Sequence, residues 1–61
     1  MANLTEKELS SMNDLLNGEE QLVKKFQMLA ESTTDQELKD TFSSISQKHQ
    51  NHFNSIYSKL Q

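Results

Sequence analysis

The 61-residue chain has no cysteine and no proline, and it has a single glycine, Gly18. With no cysteine there is no disulfide, so so short a chain must rely on a bound metal, on association with another chain, or on very efficient helix packing. With no proline and one glycine, the strongest interrupters of helices are missing, and helix ends must be set by capping side chains. No long apolar run is present, whereas a membrane span needs about 20 mostly apolar residues. A charged start followed by a hydrophobic stretch is also lacking, which leaves an intracellular product as the expectation. Basic residues number 6 against 9 acidic ones, for a net charge of −3, and the only basic pair is Lys24-Lys25. Phosphate binding draws on concentrated Lys and Arg, so nucleic acid is not an expected partner.

Capping signals do appear, twice. Thr5-Glu6-Lys7-Glu8 places a hydroxyl at an N-cap and a carboxylate three residues later, with Leu4 positioned to staple against Leu9. Thr34-Asp35-Gln36-Glu37 repeats the pattern just before Leu38. The reading is one domain over residues 1–61, with helix 1 over about 5–31, a turn at 32–34 and helix 2 over about 35–60. A connection as short as Ser32-Thr33-Thr34 folds two long helices back on each other, giving an all-α antiparallel hairpin. At 1.5 Å per residue each helix is roughly 40 Å long, a length typical of four-helix bundles.

Helical periodicity sorts the apolar residues. The inward stripe of helix 1 reads Leu9, Met12, Leu16, Glu19, Val23, Phe26, Ala30, and that of helix 2 reads Leu38, Phe42, Ile45, His49, His52, Ile56, Leu60. Beside these lie Leu15, Leu22 and Leu29 on helix 1, and Phe53 and Tyr57 on helix 2. The flanking residues widen each apolar face beyond what one partner helix covers. A homodimer of hairpins closing into a four-helix bundle is the expected solution. Large losses of stability, about 3 to 5 kcal/mol, are expected on cutting Phe26 or Phe42 to alanine if those rings are buried.

Glu19, His49 and His52 interrupt the two stripes with ionisable groups, and buried ionisable groups are costly unless paired, hydrogen-bonded or bound to a metal. Glu19 lies 14 residues before Thr33, His49 lies 16 after it and His52 lies 19 after it, so the three share a layer. Their offsets of 2 and 5 residues correspond to roughly 3 to 8 Å along the hairpin axis. The histidines, three residues apart, project from one helix face, where neighbouring imidazoles reach a common ion. Zinc, iron, manganese and nickel accept such mixed nitrogen and oxygen ligands. Three readings stand side by side: a metal site, a polar network that fixes helix register, and plain exposure. Asp14 and Glu20 are secondary ligand candidates. Gly18, next to Glu19, is either a neutral surface position or an opening for a helix, a water or a ligand. A Cys or Ser/His/Asp nucleophile and a glycine-rich phosphate loop are absent, so no enzyme is expected.

The segments Leu4-Thr5-Glu6-Lys7-Glu8-Leu9, Glu19-Glu20-Gln21-Leu22-Val23-Lys24-Lys25-Phe26 and Lys48-His49-Gln50-Asn51-His52-Phe53 resemble small clostridial proteins related to the spore coat protein F group. Nearly the whole chain is covered by this resemblance. It implies half of a ferritin-like bundle, a hairpin that pairs to complete four helices, and a structural role in the protein coat of a sporulating cell, where other coat proteins are the implied partners. The larger ferritin-like group carries a glutamate on one helix and Glu-x-x-His on the next. Glu19 matches the first glutamate and His49 the histidine, but Ser46 stands three residues before His49, where the bridging carboxylate belongs. That departure puts a di-iron centre in doubt. The expectation is therefore a non-enzymatic, self-assembling structural protein, with a small ferritin-like metal-binding protein using Glu19, His49 and His52 as the alternative.

Overall fold

The computed structural model describes residues 4–60. Two helices account for almost all of them: α1, Glu6–Ser32, and α2, Gln36–Ser58. They pack against each other as an antiparallel hairpin, as expected. The expected boundaries hold to within one or two residues; α2 ends at Ser58 and residues 59–60 form a tighter turn, with the Leu60 N–H donating to the Tyr57 carbonyl at 2.9 Å.

The first cap forms as expected. The Glu8 N–H donates to the Thr5 hydroxyl oxygen and the Thr5 N–H to the Glu8 carboxylate, both at 3.1 Å, satisfying two amides that the first turn leaves without helical partners. The second cap falls one residue later than expected. Asp35, not Thr34, caps α2, its carboxylate accepting from the Leu38 N–H at 3.0 Å. Aspartate is the better N-cap, and the neighbouring Thr33 hydroxyl secures it by accepting from the Asp35 N–H at 3.1 Å. Thr33 also closes α1, its N–H donating to the Leu29 carbonyl at 3.2 Å.

On α1 the contact line runs Met12, Leu16, Glu19, Val23, Phe26, Ala30, alternating steps of four and three; Leu16, Val23 and Ala30 are buried and the others half-buried. Leu9, expected to extend this line, is 43% exposed. On α2 the expected stripe holds at Phe42, Ile45, His49, Ile56 and Leu60, all half-buried, and fails at Leu38 and His52. The observed line is Phe42, Ser46, His49, Phe53, Ile56, Leu60, while Leu38 and His52 lie outside it, exposed. Ser46 and Phe53 join the line because they also fall at steps of four and three from Phe42 and His49, opposite the α1 ridge. Phe26 and Phe42 meet across the interface with ring centroids 6.1 Å apart, and Phe53 stacks on Tyr57.

Ser46 is the one buried polar residue on α2. Its hydroxyl donates to the Val23 carbonyl on α1 at 3.1 Å, so it is satisfied by a lone pair the helix does not use. Facing Val23, so small a side chain lets the helices approach closely. Gly18 has an ordinary helical conformation, and a Cβ added there would meet no atom within 4 Å.

The molecule measures 47 × 16 × 10 Å, with a radius of gyration of 14.4 Å. A compact domain of this length has a radius of roughly 10.5 Å. Two helices side by side thus form a single layer, whereas stable domains pack at least two layers around a core. No helix among the described residues is long and apolar enough to cross a membrane.

Candidate metal centre

Opposite lateral flanks of the hairpin differ in chemistry. One groove is lined by Val23, Gln27, Ser43, Ser46, Gln47 and Gln50 and is polar. The groove that holds Glu19 and His49 is lined also by Leu15, Leu22, Gly18 and Asp14. Helical repetition every seven residues adds Leu29 to the line of Leu15 and Leu22, and places that line beside the Met12, Glu19, Phe26 row. Leu15 and Leu29 are exposed, and Leu22 is half-buried.

In the middle of this apolar flank, Glu19 reaches across to both histidines. Its Oε1 lies 2.6 Å from His49 Nδ1 and its Oε2 lies 3.3 Å from His52 Nδ1. An ionised carboxylate only accepts, so the short contact is made by an N–H at His49 Nδ1. The axial level computed from the turn therefore brings these three together, as expected. They differ in cover: the Glu19 side chain is 18% exposed, His49 23% and His52 60%. His52 departs from the inward placement expected of it: Phe53 takes the place on the contact line, and His52 lies exposed beside it, its ring nearly perpendicular to that of His49.

Phe26 positions the site. The His49 ring stacks on the Phe26 ring with centroids 5.9 Å apart, which fixes the imidazole plane against α1. The His52 ring stands edge-on to His49, centroids 5.7 Å apart. A contact role for Phe26 is legible from its place in the α1 stripe, one helical turn beyond Val23, although its stacking on an imidazole is not.

Glu19, His49 and His52 each offer one ligand atom, and these atoms lie within 4.8 Å of one another. The secondary candidates do not join them. Glu20 is paired along α1 with Lys24 at 3.6 Å and is exposed, while Asp14 lies at the rim of the groove outside the cluster. Tyr57, 48% exposed, stacks on Phe53 away from the site. Ser46, three residues before His49, has its hydroxyl committed to the Val23 carbonyl. Among the described residues no lysine lies within ion-pair distance of Glu19, whose partners are the two imidazoles.

No protein-family model, no curated protein and no solved structure matches this chain.

Proposed function

We propose that the chain is a non-enzymatic structural protein that assembles through its apolar flank, two hairpins closing face to face into an antiparallel four-helix bundle. The supporting observation is the surface left open by a single hairpin. One chain of 7.0 kDa exposes 4789 Å². A compact monomer of that mass exposes about 4,000 Å². The excess of roughly 750 Å² is close to the about 800 Å² that each partner contributes to a stable interface of standard size. Exposed Leu15 and Leu29 and half-buried Leu22 lie beside a half-covered row, so a second layer of helices there would bury apolar surface that the first leaves open.

A second copy is the occupant because an isologous pairing presents the same patch twice, and this patch suits itself. Its central ionisable groups are one carboxylate and two imidazoles, so facing copies set acids against bases and not like charges alone. Assembly of rod-shaped hairpins also agrees with the coat role implied by the resemblance to the spore coat protein F group.

The flanks provide the test. Leu22→Lys puts a charge in the apolar groove and is expected to convert a dimer into a monomer in size-exclusion chromatography with light scattering. Gln47→Lys puts the same charge on the polar flank and is expected to leave the mass unchanged. Equal masses for the two variants would refute the assignment of the face.

A further inference from the structure

We infer that Glu19, His49 and His52 form a mononuclear binding site for a divalent late first-row transition ion, zinc being the best fit, and that one hairpin holds all three protein ligands.

Three features of the site carry this. The first is electrostatic. Glu19 is mostly covered, its ion-pair partners among the described residues are imidazoles, and no lysine approaches it. With both imidazoles neutral the carboxylate is met by hydrogen bonding but by no cation, and in a partly apolar setting a bound cation would supply the missing opposite charge.

The second is geometric. Ligand atoms about 2.0–2.2 Å from a tetrahedral ion lie roughly 3.4 Å from one another. The His52 Nδ1 to Glu19 Oε2 separation is 3.3 Å, that from His49 Nδ1 to Glu19 Oε1 is 2.6 Å, and one ligand atom from each residue lies within 4.8 Å of the others, so seating an ion needs side-chain adjustments of about an ångström. Both imidazoles would then carry their proton at Nε2 and offer the Nδ1 lone pair. Because the donors come from α1 and α2, the ion would also clamp the two helices together.

The third is the donor set and its access. Two imidazoles and one carboxylate suit zinc, iron(II), cobalt, nickel or copper; magnesium and calcium prefer all-oxygen sites. His52, the exposed ligand, gives an ion a way in and leaves at least one coordination position to water. The polar contact at Ser46 has none of this: it is neutral, closed and satisfied by a backbone carbonyl.

Calorimetric titration of the untagged chain with zinc chloride, beside visible absorption of the cobalt(II) form, tests the site. The expected results are one zinc per chain, d–d bands of nitrogen and oxygen ligation, and a raised melting temperature with zinc. Glu19→Ala and His49→Ala are expected to weaken zinc binding by a hundredfold or more, with circular dichroism reporting whether each still folds. His52→Gln changes an exposed side chain, keeps the fold, and is expected to weaken binding at least tenfold, whereas Ser46→Ala keeps full affinity. Absence of binding to the wild-type chain would overturn the assignment, as would unchanged affinity in folded His52→Gln. One ion per two chains would place the site between hairpins and overturn its confinement to one.

Discussion

Two polar contacts, one helical turn apart, join the helices of this hairpin, and they solve opposite problems. At the first, Ser46 puts a small neutral hydroxyl on the Val23 carbonyl and is 5% exposed. At the second, a carboxylate and two imidazoles meet on the apolar flank, with His52 open to solvent. The serine contact fills a close approach between helices and leaves no atom free for another partner. The Glu19 contact leaves imidazole nitrogens and an apolar surround available. Polarity inside a seam is therefore not by itself a sign of function; what separates the two is ionisable chemistry together with access.

The comparison is broken most severely by removing what supports the open side. Phe26→Ala takes away the ring that meets Phe42 and stacks on His49. A loss of about 3 kcal/mol is expected, the low end for such truncations because the ring is only half-buried. Chemical denaturation measures it, and a wild-type midpoint would show that the aromatic row does not hold the hairpin.

The contacts themselves respond differently to bulk. Ser46→Leu forces a large side chain into the closed contact and is expected to destabilise by about 1–3 kcal/mol. Glu19→Leu continues an apolar row on the more open flank and is expected to cost less than that, because replacing a partly buried ionic group with a packed hydrophobe is often neutral or stabilising. Thermal melts of the two variants decide the order, and the reverse order would mean that Glu19 is the more constrained position.

Smaller effects sharpen the picture. Gly18→Ala, at a helical position where the added methyl meets no atom, is expected to gain about 0.5–1 kcal/mol. A loss in the same melt would place a partner helix directly over residue 18. The smallest effect belongs to the α1 cap, far from both contacts. Hydrogen bonds from the Thr5 backbone N–H and then the Thr5 side chain hold the Glu8 carboxyl below its ordinary range. A lowered carboxyl stabilises the fold above its unfolded pKa, and that contribution disappears as pH falls through the lowered value. Glu8→Gln is expected to remove this acid-side step from the pH dependence of helicity, measured by circular dichroism.

Much of this was legible in the chain. The α1 row from Met12 to Ala30 follows from spacing, because apolar residues occupy every position but Glu19. The level shared by Glu19, His49 and His52 follows from counting outward from the turn, since an antiparallel hairpin ties axial position to sequence distance. On α2 the hydrophobic pattern misled. Leu38 and His52 fit the expected stripe as well as Ser46 and Phe53 do, and the choice between them depends on how closely the helices approach at Val23. A serine bonded to a backbone carbonyl carries no hydrophobic signature, so the place of Ser46 on the line, and with it the exposure of His52, emerges only from packing. The cap at Asp35 was missed for a more local reason, as Thr34 and Asp35 are adjacent and both can cap.

The proposed assembly depends on the apolar flank being covered by a second copy. Sedimentation equilibrium of the wild-type chain, carried over a wide range of concentration, measures this most directly. The expected mass is twice the 7.0 kDa of one chain, falling toward a single chain only at high dilution. A mass of 7.0 kDa at every concentration would contradict the account.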